Sequence, residues 1–173
     1  SSGVAAKETS RCRAAVLVYH NLHEPRAGMT RVQREMNLSP ATFEAQMRTL
    51  DEGGFAVIPL ARLVDCMEGG RELPPHAVVL TFDDGLASQF RVAAPILHQH
   101  GFTATFFVVS RMVIGGGTLM DWTQVRALDA MGMTVGSHTA WHPLLTRTSP
   151  ERLRRELVES RATLEEHLGK PVE

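Results

Sequence analysis

Long apolar runs, thiols and an excess of charge of one sign are what this 173-residue sequence lacks. No apolar stretch approaches the roughly 18 residues that a membrane-spanning helix needs. Lysine and arginine (18) nearly balance aspartate and glutamate (19), so the basic surface typical of nucleic-acid binders is missing. We therefore expect no transmembrane segment and no nucleic-acid partner, while the oligomeric state leaves no mark in the composition.

Cysteine is scarce as well. Cys12 and Cys66 are the two cysteines of the chain, and their spacing fits no thiolate metal site. A disulfide between them is one option, but we favour two free thiols, which leaves the redox compartment open. Residues 1–13 are small and polar and lack the apolar centre of a signal peptide. We expect them to form a flexible segment before a domain that spans residues 14–173.

Hydrophobic residues make up 43% of the chain, which is enough for a sizeable core. Short apolar runs alternate with amphipathic helical patterns, and the five predicted strands lie at residues 14–20, 55–60, 77–82, 103–109 and 133–138. This alternation predicts an α/β fold with a mostly parallel sheet, in which even the first strand is buried. Five strands are fewer than a closed α/β barrel needs, so we expect an open sheet or part of a longer protein.

Turn and cap residues indicate where the helices begin. Three of the predicted helices start at a side chain that can accept a backbone N–H: Ser39, Asp121 and Ser149. Pro95 is expected to bend a helix over residues 86–101. The polar stretch at residues 20–40 is too long and too charged for a simple turn, and we expect a surface loop that borders a cleft.

Polar side chains lie at the ends of three predicted strands. His20 ends the first strand, Asp83 and Asp84 follow the third, and His138 ends the fifth. His142 lies four residues beyond His138. Each group has an ordinary explanation, because Asp and Gly favour turns and two histidines can share a surface loop. However, the carboxyl ends of parallel strands meet at one rim of a sheet, where α/β proteins build their sites.

Together these residues predict a metal centre. One carboxylate and two imidazoles make a three-ligand set that leaves one position open, as in catalytic zinc sites. Such a set also accepts Co²⁺, Ni²⁺, Fe²⁺ or Mn²⁺. Two adjacent carboxylates repel each other unless a positive charge is close, and a cation bound by one leaves the other free as a base.

The motifs "TFDDG" (residues 81–85) and "SHTAWH" (137–142), with "GFTATFFVV" and "GMTVGSHT" around them, resemble the first two signatures of the polysaccharide deacetylases, carbohydrate esterase family 4. The resemblance implies a distorted (β/α) barrel, incomplete here at its carboxyl-terminal side, and a metal-dependent hydrolase of acetyl groups on polysaccharides. It implies that Asp83 is the general base and that Asp84, His138 and His142 bind the metal, with Zn²⁺ expected first.

The early "VLVYHNL" resembles a subgroup that deacetylates poly-β-1,6-N-acetylglucosamine. In that subgroup the histidine equivalent to His20 is the general acid, although a histidine paired with its neighbours at a strand end would look the same. The family usually has later motifs, which contain Arg with Pro-Tyr, Asp-Trp and Leu-x-His, and none of them follows Pro171 here. The resemblance also implies an extracellular or cell-envelope location.

The resulting hypothesis is a metal-dependent N-deacetylase whose partner is an N-acetylglucosamine polymer, with the β-1,6-linked polymer as the leading substrate. Chitin-type polymers and peptidoglycan are alternatives within the same reaction class. A non-catalytic, metal-retaining carbohydrate-binding module or an inactive fragment is the alternative of another class, and hydrolysis of a small amide or cyclic imide is a third. The sequence does not decide among them.

Overall fold

The computed structural model describes residues 12–172, in which strands and helices alternate. The strands are β1 (Ala14–Tyr19), β2 (Asn21–Leu22), β3 (Asn37–Leu38), β4 (Ala56–Val57), β5 (Ala77–Phe82), β6 (Thr105–Val108) and β7 (Thr134–Ser137). The helices are α1 (Arg31–Glu35), α2 (Pro40–Glu52), α3 (Leu60–Met67), α4 (Ala94–Gln99), α5 (Trp122–Ala130) and α6 (Pro150–Leu168). Within this part of the chain, none of the helices combines the length and apolarity that crossing a membrane requires.

The main sheet is parallel and has the order β1-β5-β6-β7, with β4 beside the first residues of β5. It is not closed among residues 12–172, so the α/β prediction with a low strand count is confirmed. The prediction that β1 is buried was wrong. Val16 and Val18 are 46% and 54% exposed, because β1 is an edge strand and their side chains, unlike those of Leu17 and Tyr19, do not pack against a core cluster.

β5 lies at the centre of the fold, and all six of its residues are buried. One face of the strand packs into the main core against α2 and α4, through Val78, Leu80, Phe82, Phe43, Met47 and Leu97. The other face packs against the start of α3 and the residues before it, through Ala77, Val79, Ile58, Leu60 and Leu63. Burial on both faces explains why the strand is apolar at almost every position rather than alternating.

An aromatic cluster ties the strand ends together. Tyr19 and Phe82, the last residues of β1 and β5, are paired in register and stack with ring centroids 5.3 Å apart. Phe82 stacks in turn on Phe106 of β6 at 4.6 Å, and Phe43 of α2 meets Tyr19 edge-on at 5.1 Å. Pairs of this kind each contribute about 0.5–1.5 kcal/mol beyond simple burial. The cluster therefore fixes the spacing of the residues that follow β1 and β5.

The three predicted helix caps are confirmed: Ser39, Asp121 and Ser149 each accept the backbone N–H three residues later. The single helix over residues 86–101 was only partly correct. Gln89–Ala93 is a π-helical turn, and α4 follows it with Pro95 in its first turn, where a missing N–H is tolerated. The strand predicted at 55–60 shrinks to two residues because Pro59 already leads into α3.

The polar stretch at residues 20–40 is not the simple loop that its composition suggested. β2 and β3 pair in parallel, and α1 connects them with a capping box between Thr30 and Gln33. Leu22 is 1% exposed, and its N–H is donated to Ser88 Oγ at 3.1 Å. These contacts hold residues 21–38, which we call the insert, against the start of the π-helical turn, beside the rim of the sheet.

The expectation of two free thiols was wrong, because Cys12 and Cys66 form a disulfide. The bond joins the residues just before β1 to α3 and closes a loop with a sequence separation of 54. The spacing in the sequence could not reveal the pair, since the two residues meet only once β1 and α3 are placed against β5. Residues 1–11 lie outside the described residues, so the predicted boundary at residue 13 stays a prediction.

We predict that the double variant Cys12→Ser/Cys66→Ser unfolds at a lower temperature than the wild type. In the chain-entropy model a loop of this length stabilises the fold by at most about 4 kcal/mol. Thermal unfolding followed by circular dichroism, with and without reductant, measures the effect. Reductant should lower the wild-type melting temperature towards that of the variant and leave the variant unchanged; equal melting temperatures without reductant would contradict the bond.

Candidate metal centre and active site

The chemistry-bearing residues gather at the carboxyl-terminal rim of the sheet. His20 follows β1, Asp83 and Asp84 follow β5, and His138 follows β7. The backbone continues the sheet pairing to these residues. Asp83 N–H is donated to Tyr19 O at 3.0 Å, and His138 N–H to Val108 O at 2.9 Å. The parallel sheet therefore holds the backbone of these rim residues in place.

The three predicted ligands do converge. Asp84, His138 and His142 each offer a donor atom, and these atoms all lie within 4.8 Å of one another. Asp84 Oδ1 is 3.4 Å from His138 Nε2 and 3.6 Å from His142 Nε2. Both distances exceed that of a normal charge-assisted hydrogen bond. Two donors that each lie about 2.1 Å from a tetrahedral metal are about 3.4 Å apart. The donor set thus fits a divalent cation.

The second carboxylate, that of Asp83, is paired with His20. Asp83 Oδ2 lies 3.9 Å from His20 Nε2, and the two side chains are 22% and 25% exposed. Both groups therefore remain open to solvent from the rim while their backbones are held in the sheet. A general base and a general acid must reach the substrate in this way.

The residues at this rim have an unusual backbone conformation. Asp84 and Gly85 have φ values of 77° and 72°, and Thr139 and His142 have values of 68° and 53°. A left-handed conformation costs non-glycine residues free energy and is concentrated at functional sites. At Gly85 the left-handed backbone favours glycine, and a Cβ atom there would lie in tight contact with Val108 Cγ1, at 3.2 Å.

Gln89 is a supporting residue that the sequence did not reveal. Its side chain is fully buried in the π-helical turn and donates to the carbonyl oxygens of His20 and Asp83. It thereby joins the two strand ends that bear the candidate acid and base. A glutamine in an amphipathic pattern carries no such signal, because its position depends on the π-helical turn, which brings it under the rim. π-Helical turns occur frequently at functional sites.

The charges at the rim shift each other's ionisation. Contact with the His138 ring lowers the pKa of the Asp84 carboxyl, with help from the charges of His20 and His142 and in spite of partial burial. The same contact raises the pKa of His138, and the nearby Asp83 adds to the effect. In the absence of a metal, the rim therefore favours a carboxylate at Asp84 beside a protonated imidazole at His138.

A small groove opens beside this rim. Its cavity volume is about 210 Å³, and it is lined by the rim itself and by the insert: His20, Asn21, His23, Met29, Gln33, Met36, Asp84 and Leu86. Trp141, which lies between the two candidate ligand histidines in the sequence, is 58% exposed. The site is thus an open surface depression, accessible to a chain-like ligand as well as to a small one.

Fold and rim together define a class: a parallel α/β protein with a carboxylate–imidazole donor set at the carboxyl ends of its strands. The polysaccharide deacetylase profile matches residues 70–173, which include both motifs of the rim. The chain belongs to the polysaccharide deacetylase family, as the motifs predicted.

Individual relatives agree with this assignment. The poly-β-1,6-N-acetyl-D-glucosamine N-deacetylase of Escherichia coli K12 is 30% identical over 136 residues, 70% of this chain and 20% of that enzyme. YxkH of Bacillus subtilis is 23% identical over 155 residues, 90% of this chain and 52% of the relative. The structure of IcaB from Ammonifex degensii superposes with a TM-score of 0.79 at 27% identity and covers 92% of this chain and 71% of IcaB. The chain spans about half of YxkH and a fifth of the E. coli enzyme.

We predict that Asp84→Ala, His138→Ala and His142→Ala each lower the metal content of the purified, dialysed protein, from about one equivalent to well below it, because each variant removes one of three ligands. Elemental analysis measures the metal. His100→Ala is the matched control, since His100 also contacts an aspartate, Asp51 at 2.8 Å, on another part of the surface. Unchanged stoichiometry in all three rim variants would contradict the ligand assignment.

We also predict a pH window in which the Asp84–His138 contact stabilises the metal-free fold. The lowered pKa of Asp84 makes its contribution complete above the ordinary carboxyl value of about 4 and lost as the pH falls further. The raised pKa of His138 makes its contribution complete below about 6.5 and lost as the pH rises through the raised value.

The measurement is the melting temperature in a chelator between pH 3 and 9, for the wild type and Asp84→Asn. The wild type should gain most over the variant between about pH 4 and 6.5. A difference that does not change with pH, or that grows above pH 8, would show that the contact does not act in this way.

Proposed function

We propose that this protein is a metal-dependent polysaccharide N-deacetylase that acts on an N-acetylglucosamine polymer. The single observation that carries the proposal is the convergence of three ligand atoms within 4.8 Å, with a second carboxylate and a histidine 3.9 Å apart beside them. Membership of the deacetylase family supports the reaction class.

The metal would be held by Asp84, His138 and His142. A divalent cation held there would supply Lewis acidity towards a water molecule and the acetyl carbonyl. Zn²⁺ suits this set of oxygen and nitrogen donors with an open position, and Co²⁺, Ni²⁺ or Fe²⁺ suit it as well. The donor set contains no thiolate, since both cysteines are in the disulfide.

The protein's own side chains move the protons. Asp83, which is not one of the three ligands, accepts a proton from the attacking water. His20, on the neighbouring strand end, gives a proton to the amide nitrogen as the bond to the acetyl carbon breaks, so acetate and a free amine leave the site. The hydrogen bonds of Gln89 to the His20 and Asp83 carbonyl groups hold this acid and base at a fixed separation.

The choice of polymer is supported by relatives of the same kind. The E. coli relative at 30% identity is named for poly-β-1,6-N-acetyl-D-glucosamine, and its match covers 70% of this chain. A histidine directly after β1 agrees with the early acid of that subgroup. The open rim, bordered by Trp141 and by the groove of the insert, suits a polymer better than a buried pocket would.

We further propose that the protein works outside the cytoplasm, in the cell envelope or beyond it. The disulfide between Cys12 and Cys66 supports this location, because such bonds persist in oxidising compartments and are rare in the cytosol. Structural polymers of N-acetylglucosamine lie outside the bacterial membrane as well. Both observations point to the same compartment.

We predict that Asp83→Asn lowers the rate of amine release about 10²–10⁴-fold without loss of bound metal, because the variant lacks the base and keeps all three ligands. A fluorogenic amine assay on N-acetylglucosamine oligomers, run beside elemental analysis, measures both quantities. Asp51→Asn is the matched control, since it makes the same change at an aspartate that contacts a histidine away from the rim.

The same assay tests the substrate. The proposal expects faster amine release from β-1,6-linked than from β-1,4-linked oligomers. The opposite preference would move the assignment to a chitin-type or peptidoglycan substrate. Metal and glycan binding without any amine release in the wild type would identify a binding module instead, and turnover of small imides with no action on glycans would overturn the substrate class.

A further inference from the structure

Two polar residues occupy the buried side of α6. Glu156 is 5% exposed and Ser160 is not exposed at all, and they follow the same helix face as Leu164, which is also fully buried. A carboxylate in such a place is costly unless hydrogen bonds compensate it. The hydrogen-bond partners of Glu156 and Ser160 therefore indicate the role of the two side chains.

Both residues bind the turn that joins the two candidate ligand histidines. Glu156 Oε2 accepts the N–H of Ala140 at 3.1 Å and that of Trp141 at 2.8 Å. Ser160 Oγ donates to Thr139 O at 3.0 Å and accepts from Ser137 Oγ at 2.8 Å. Hydrogen bonds from α6 thus hold the turn that carries the histidine side chains at the rim.

Within residues 12–172, side-chain oxygens rather than backbone carbonyls accept the N–H groups of this turn. Thr139 N–H is donated to Ser137 Oγ, and His142 N–H to Thr139 Oγ1, while the two between them go to Glu156. The left-handed residues at both ends of the turn add a conformational cost. A side-chain oxygen therefore holds each N–H, and one carboxylate holds half of them.

Charge balance at Glu156 is partial. Arg152, one turn earlier on α6, has its Nε 3.7 Å from Glu156 Oε1 and is itself 58% exposed. The second carboxylate oxygen, Oε2, is thus left to the two backbone N–H groups. The strong hydrogen bonds of a carboxylate in a buried place resist displacement, which suits a group that must hold a strained turn.

We propose that Glu156 is a positioning residue of the metal centre: it fixes the turn 139–142 and so sets His142 at the distance from His138 and Asp84 that a cation requires. This inference rests on the metal centre proposed above. Groups behind metal ligands orient them, and losing such a group typically costs 10–100-fold in metal affinity.

The test is the dissociation constant for Zn²⁺, measured by competition with a chromophoric chelator, and the visible absorption of the Co²⁺-loaded protein, which reports the coordination geometry. Glu156→Leu keeps the volume and removes both acceptors, so its affinity should fall 10–100-fold with an altered Co²⁺ spectrum. Glu156→Gln keeps one oxygen that can accept both N–H groups and should restore affinity and spectrum. Glu156→Asp withdraws the carboxylate and should weaken binding even if the leucine variant does not fold.

Leu164→Ala is the control for lost stability, because it removes a buried side chain from the same helix without touching the turn. It should lower the melting temperature and leave the Zn²⁺ affinity unchanged. Wild-type affinity in the Glu156→Leu or Glu156→Asp variant would overturn the inference, as would an equal loss of affinity in Leu164→Ala. A wild-type protein that binds no Zn²⁺ would instead contradict the metal centre itself.

Discussion

Two carboxylates at the end of a fully buried strand are the constraint on which the rest of the site depends. β5 is covered on both faces, so its end is fixed, and Asp83 and Asp84 cannot move apart to relieve their repulsion. Histidines from the segments that follow β1 and β7 lie close to the two carboxylates. His20 after β1 meets one carboxylate, and His138 after β7 meets the other together with His142. The proposed cation would complete the neutralisation at Asp84.

Much of this was predictable because the determining signals are local. A run of apolar residues that ends at Asp83 reads as a buried strand, and a cap such as Ser149 marks a helix start independently of the tertiary fold. The rule that parallel strands end at one rim then brings Asp84 and His138 together without coordinates. The structure shows that convergence directly.

The rest was unpredictable because it depends on which surfaces meet. Val18 belongs to an apolar run that is typical of a buried strand, yet its exposure follows from the place of β1 at the sheet edge. Cys12 and Cys66 become partners only when β1 and α3 are positioned. Glu156 looks like one more acid of a charged helix. Its spacing of four residues from Ser160 and eight from Leu164 is the one signal that could have placed it on the buried face.

The central claim is that Asp84, His138 and His142 share one metal ion. Anomalous diffraction at the zinc absorption edge, from crystals of the Zn²⁺-loaded protein, tests it most directly. We expect one strong peak about 2.0–2.2 Å from Asp84 Oδ1 and from the Nε2 atoms of both histidines, with Asp83 outside bonding distance. A peak that lacks either histidine as a ligand, or no peak at this rim in a protein that retains zinc elsewhere, would contradict it.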